Sequence, residues 1–536
     1  MIHFRVHDPQ GLRLADKPAD KSADTLADKL SERAAESAVE AAVVGGRWDL
    51  RSAYLFGPDG RPTRGVIEVS GGEIVCRAAS DVPVGIALFV DTEQAGRIML
   101  QTCFLPPRDE PYELFLEIAR WLINQFVEEC ETWQMWNPAL SGDAFARWDA
   151  ARDAFRQALR ETDPLAAERL ARRSIRLGID AGESMTVRHA SHLLSRRYMR
   201  KAPSATTLGV GVDPRVPPNS ASMAAAKLFD IISLCTPWKL IEPAPGRYDF
   251  SAIDVWAKWA AAERKVLVLG PLVDFGTTDG VPTELPPHFL AARGDPQRFR
   301  TLVWTQVRAV VSRYQNITPI FVAASGSNCT GWHDEGIDRM IELTRTAVVA
   351  VREVKRDARV VVEIQSPGAE NWRGVRGGAW PTAFLQKLVT ENLALTAAGV
   401  RITQGGAADP VRDLMTIGGL LDGYIGRELS IFLTGFGVPS ASAAPQDEAR
   451  GVWRSNAGWT PERQADWAES IFKIALARTF VEGVWWSRLQ DAPDGARDGL
   501  IDARGKPKPA LERLIALRRE LSSGAAKFAK GGGKAG

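Results

Sequence analysis

The chain has 536 residues, enough for two or three domains, one of which can be a large α/β barrel. Hydrophobic residues make up 45% and charged residues 25%, an ordinary globular balance, and no run approaches the roughly 18–20 apolar residues that cross a bilayer. With 67 basic and 65 acidic residues the net charge is +2, which offers no electrostatic footprint for nucleic acid.

Met1 to Pro9 carries His3, Arg5, His7 and Asp8 in place of an apolar h-region. It does not read as a secretory signal, so a cytoplasmic protein is expected. Five scattered cysteines (Cys76, Cys103, Cys130, Cys235 and Cys329) argue against a disulfide framework and a Cys-rich zinc site. The histidines form no ligand triad; His189 and His192, at i,i+3 spacing, read as surface or packing residues. No metal or cofactor is expected, and Gly209-Val210-Gly211 lacks the rest of a dinucleotide fingerprint.

Residues 1–43 read as a charged, Ala-rich arm, solvated and partly helical over 12–43. Residues 44–110 hold short alternating segments, including Gly65–Val69 and Ile86–Val90, punctuated by Gly57-Pro58-Asp59-Gly60 and Gly71-Gly72. This pattern predicts a small antiparallel β-module. Residues 111–204 read as a helical connector, opening with an amphipathic helix over 112–127 whose Leu114, Ile118, Trp121, Leu122 and Phe126 share a face. Further helices are expected over 143–162, 163–177 and 183–198.

Between 205 and 521, short apolar runs alternate with helical patterns, as parallel βα units require. The runs are Thr207–Val212, Ile231–Thr236, Val266–Val273, Ile320–Ala324, Val360–Ile364, Val400–Thr403, Leu429–Phe436 and Val481–Trp486. Asp295-Pro296 and Thr460-Pro461 are helix starts, a cap followed by proline at the first helical position. Lys506-Pro507-Lys508-Pro509 leads into a last helix ending near Leu521, and 522–536 reads as a disordered tail. Eight strand–helix pairs predict an α/β fold, a (β/α)8 TIM barrel, whose chemistry would lie at the carboxyl ends of the strands.

Two stretches resemble glycoside hydrolase family 10, the β-1,4-xylanases. Trp238-Lys239-Leu240-Ile241-Glu242-Pro243-Ala244-Pro245-Gly246-Arg247-Tyr248-Asp249-Phe250 is similar to the family's second-strand segment. Val481–Trp486, with Gly499 to Ala510, resembles its eighth strand and final helix entry. The resemblance covers the barrel and implies a retaining mechanism, with a nucleophile and an acid/base glutamate about 5–5.5 Å apart at the ends of strands four and seven.

Neither glutamate is found where that register places it. On strand four the position falls at Gly326, or with a slip at Ser327; on strand seven, in Leu433-Thr434-Gly435-Phe436-Gly437, it falls at Gly435. Glu428 would fit only if Leu421 to Glu428 were the strand, and the apolar run begins at Leu429. Other family positions have changed as well: Leu234, Cys235 and Pro237 before the second-strand tryptophan, Gly270 and Gly406 where histidines are usual. Gln404 retains the sixth-strand glutamine.

Three readings follow. In the first the barrel is a pseudo-hydrolase that binds an oligo- or polysaccharide, with Trp238 and Trp486 as stacking faces and Gln365, Gln404 and Asp491 as hydrogen-bonding groups. Each tryptophan could equally fill the barrel mouth. The second is a glycoside hydrolase with relocated carboxylates: Asp274 and Glu363, with Asp213 behind them, each of which could instead cap a loop or pair with an arginine. The acids Asp334-Glu335, after His333, read as loop or cap residues. The third is a scaffold whose amino-terminal module binds a protein partner.

Overall fold

Runs such as Phe321-Val322-Ala323-Ala324 are apolar on both faces of a strand, which suits burial between a lumen and a ring of helices. In the computed structural model these runs close a parallel barrel of eight strands. The strands are Thr207–Val212, Ile231–Leu234, Val266–Leu269, Ile320–Ser325, Arg359–Ile364, Ala397–Thr403, Ser430–Gly437 and Val481–Trp486, numbered one to eight below. Each pairs with the next in sequence, and the eighth returns to the first. The structure describes residues 1–7, 50, 53–58, 60–79, 81–199, 207–278, 281–329, 336–368, 379–406, 409–426, 429–441, 451–455, 457–492, 495 and 497–522. The expected arm over 12–43, the tail beyond 522, His333 to Glu335 and Glu428 lie outside these residues.

Alternation sorts the strand residues. Leu234, Ile364, Ile402, Phe436 and Trp486 point outward into the main core beneath the helices. Ile231, Val268, Ile320, Val322, Val361, Ala397, Phe432 and Trp485 point inward and fill the lower lumen. The helix starts form as their sequences require. Asp295 accepts a bond from Arg298 N ahead of Pro296–Tyr314, and Thr460 accepts one from Arg463 N ahead of Pro461–Ala477.

The amino-terminal module is two small sheets. One runs in the order Gly65–Ser70, Glu73–Ala78, Ile2–Arg5 and Tyr112–Glu113. Ile2–Arg5 is thus a strand of this sheet, with Ile2 and Phe4 buried, and not part of a solvated arm. Its alternation of Ile2 and Phe4 with His3 and Arg5 is the half-buried strand pattern. The second sheet runs Val452–Trp453, Gly96–Gln101, Gly85–Asp91, Tyr54–Phe56 and Pro62–Thr63. Its first strand comes from the loop after barrel strand seven. Met99 N also donates to Val411 O, on the loop after strand six.

The connector helices are Leu114–Thr132, Ala144–Ala158 and Pro164–Met199. The last is one helix of 36 residues where two were expected. Gly178 and Gly182, which lie in the expected break, serve packing. A Cβ at Gly182 would lie 2.7 Å from the Met415 side chain, and one at Gly178 3.3 Å from Leu122. Glycine lets this helix approach its neighbours closely without ending it. His189, on the same helix, stacks on Trp133 with centroids 4.8 Å apart, and burial lowers its pKa to about 4.

Between connector and barrel, Arg478 forks onto Asp422 at 2.7 and 2.8 Å, and Asp422 also accepts from Trp133 Nε1. Glu129 lies beside this pair, its carboxyl raised from 4.5 to about 7 by burial first and by Asp422 next. A folded pKa above the unfolded one means that the folded chain binds the extra proton. The group's stabilisation is therefore complete below about 4.5 and is lost as pH rises toward 7. Glu129→Gln should flatten the fall in melting temperature over that window and stabilise the protein at pH 8 by about 1 kcal/mol. Thermal melts at pH 5 and pH 8 check this.

Candidate functional site at the barrel mouth

Above the apolar layer the inward positions turn polar or small. They are Ser233 and Cys235 near the end of strand two, Ser325 on strand four, Glu363 and Gln365 on strand five, and Arg401 and Thr403 on strand six. Gly435, Gly437 and Ser487 follow on strands seven and eight. Glu363 is 2% exposed; its Oε1 accepts from Ser325 Oγ at 2.6 Å and pairs with Arg401 Nη2 at 2.7 Å. Gln365 Nε2 donates to Ser325 Oγ at 2.8 Å and to Asp274 Oδ1 at 2.9 Å. Asp274 Oδ1 also accepts from Gly276 N. The two candidate acids, Asp274 and Glu363, therefore come together, but as the ends of one chain of bonds through Gln365 and Ser325.

The backbone explains why no acid stands at Gly326. After strand three the chain continues alongside strand four: Ser325 N donates to Val273 O, and Phe275 N to Ser325 O. This lays Gly276 against Gly326, where a Cβ would lie 2.5 Å from Gly276 N and 2.7 Å from its Cα. Gly326 also has φ +69°, a left-handed conformation that favours glycine. Ser327, the alternative register, is fully buried and accepts a bond from Thr344 Oγ1 on the flanking helix. Gly270 is closed in the same way, with a Cβ 2.5 Å from Val322 O. Gly435 differs. A Cβ there would sit 3.3 Å from Arg401 Cγ and 3.4 Å from Ser487 Cβ, side-chain neighbours that need give by only a few tenths of an ångström.

The residues expected to hold sugar divide. Gln365 faces the lumen, where its Nε2 is bonded to Asp274 and Ser325. Trp238 is 1% exposed, packs on Phe289 and donates through Nε1 to Glu242, so it is a core residue and offers no free stacking face. Trp486 is fully buried against Phe472 and Trp467, with Nε1 bonded to Asp498 O. The physical reason is parity: Trp486 points outward and Trp485 inward. Gln404 likewise sits on the outward side, beside Ile402, Ile417 and Leu420, under the helix Leu414–Asp422. Asp491 is consumed by structure, accepting from Lys508 Nζ at 2.6 Å and Gly499 N at 2.9 Å. Burial raises its carboxyl pKa and lowers that of Lys508. Asp213 belongs to a rim network with Arg215, Arg488 and, through Arg215, Glu284.

Sequence reasoning missed Arg401, Ser325 and Ser487. The signal for Arg401 was present: one charge at an inward position of the otherwise apolar Ala397–Ile402 run. Ser325 was hidden by attention to its neighbour Gly326. Among the described residues no group of histidine, cysteine or carboxylate side chains is arranged to hold a metal ion. Among the same described residues no helix is long and apolar enough to cross a membrane.

No protein-family model matches the chain, and no curated protein sequence matches it. Solved structures do. Native xylanase 10B from Thermotoga maritima is similar at 15% identity and TM-score 0.45, over 63% of this chain and 99% of that one. Xylanase 10B from Thermotoga petrophila RKU-1, in complex with xylobiose, gives 15% and 0.45 over 61% and 96%. The endo-1,4-beta-xylanase from Caldicellulosiruptor owensensis gives 16% and 0.43 over 60% and 98%. The barrel resembles those of glycoside hydrolase family 10 xylanases at low identity, and the closed strand order by itself makes it a (β/α)8 barrel.

Proposed function

We propose that the protein is a non-hydrolytic, saccharide-binding barrel that takes its ligand at the mouth described above. Glycosidic cleavage needs a proton donor and a second carboxylate on opposite sides of the scissile bond, with the sugar between them. One observation carries the reading. The space between Asp274 and Glu363 is taken by Ser325 and Gln365, and Arg401 holds the Glu363 carboxylate. Neither acid faces the other across an open gap. The closure of Gly326 by Gly276 supports the same conclusion. Support for a saccharide comes from the two family-10-like segments of the sequence and from the hydrogen-bonding mouth.

The test is prolonged incubation of the purified protein with xylotetraose and cellotetraose, following products and binding together. Binding without products is expected, and Asp274→Ala and Glu363→Ala should leave the absence of turnover unchanged. Cleavage that either substitution abolishes would sink this reading in favour of relocated catalysis. If neither binding nor cleavage occurs, these sugars are excluded, and a scaffold binding protein partners through the amino-terminal module becomes the better account.

A further inference from the structure

Arg401 has no assigned role in any of these readings, yet its surroundings are specific. The side chain lies deep in the mouth beside Gly435, and 31% of it remains accessible. Its partner across strand seven is Gly435, where a Cβ would lie 3.3 Å from Arg401 Cγ. Nη2 holds Glu363 at 2.7 Å; a guanidinium carries five N–H donors, more than this pair uses. Two hydroxyls bordering the same space, Thr434 Oγ1 and Ser487 Oγ, are buried without a hydrogen-bond partner, and Thr434 is only 6% exposed.

A donor cation and an acceptor anion held side by side form a compact dipole. Vicinal hydroxyls of a pyranose lie about 2.8 Å apart, roughly one hydrogen-bond length. One can donate to the carboxylate while its neighbour accepts from the guanidinium. A charged ligand of either sign meets attraction from one member of the pair and repulsion from the other. We infer that Arg401 and Glu363 read a neutral vicinal diol on the ligand, with Ser487 and Thr434 completing the hydroxyl contacts. This inference rests on the saccharide-binding reading and names its specificity-determining pair.

The experiment titrates the full-length protein with methyl β-D-xylopyranoside, glucuronate and glucosamine, alongside the xylotetraose and cellotetraose assay. The neutral glycoside should bind at least fivefold more tightly than either charged sugar. Because Arg401→Met alone strands a buried carboxylate, the main variant is Arg401→Met with Glu363→Met, an apolar replacement of the whole pair. It should keep its melting temperature and lose at least tenfold in affinity for the neutral glycoside and the tetraoses. Tetraose binding that survives unchanged in the folded double variant overturns the assignment of the pair while leaving saccharide binding intact. Tighter binding of glucuronate or glucosamine than of the neutral glycoside overturns it as well. Absence of all sugar binding in the unsubstituted protein removes both readings.

Discussion

Gly326→Ala is expected to destabilise the protein by about 3 kcal/mol or more, a large loss for the addition of one methyl group. Two causes act together. The φ of +69° costs a residue bearing a Cβ on the order of 1 kcal/mol, and the new atom would meet Gly276 backbone at 2.5 Å. A flexible side chain could swing aside, but backbone hydrogen-bonded to strand four cannot. Gly435→Ala is the matched control: no left-handed conformation, first contacts at 3.3–3.4 Å, and an expected change within about 1 kcal/mol. Equilibrium denaturation of both variants checks the contrast. Equal losses would mean that the strand-three extension does not hold Gly276 against Gly326. By the same geometry Gly326→Glu should not create hydrolytic activity, because no side chain can leave that position without displacing the loop.

Glu183→Ala should cost about 3–4 kcal/mol, since it unties the long connector helix from two barrel loops at once. The Glu183 side chain is 1% exposed and accepts from Trp453 Nε1 at 2.7 Å, Arg454 Nε at 2.7 Å and Leu414 N at 3.2 Å. Arg454 is half exposed and can turn to water, so its share of the loss is small. The indole N–H and the helix-opening amide of Leu414 cannot, and each would be buried without a partner. Glu183→Gln should lose less, because its amide oxygen can still accept. Urea midpoints for the two variants test the ordering. A Gln variant as weak as the Ala variant would show that the charge matters more than the hydrogen bonds.

The barrel was legible because its signal is redundant. Each strand is an apolar run bounded by punctuation, and Asp295-Pro296 and Thr460-Pro461 announce their helices through local chemistry. The site was less legible, because function there depends on parity and on backbone approach. Trp486 and Trp485 are neighbours in sequence, yet one faces the helices and the other the lumen. A one-residue difference in reading decides whether an aromatic can meet a ligand. Gly326 could be marked as lacking an acid, but its reason, the Gly276 backbone, arrives from the loop after a different strand. Gly178 and Gly182 lie inside one long helix, where a residue that weakens a helix in isolation is used for closeness.

Residues 452 and 453 have a consequence for the order in which the molecule can assemble. The strand Gly96–Gln101 is made early in synthesis, but its outer edge is covered by Val452–Trp453 and by Val411. Until the ribosome has produced those segments, that edge presents unpaired N–H and C=O groups beside Phe89 and Met99, side chains buried in the finished protein. The amino-terminal module therefore cannot finish folding before most of the barrel has been translated. Its nascent form carries an open strand edge, a hazard for edge-to-edge association. A gene fragment ending before Trp453 would release that open edge permanently.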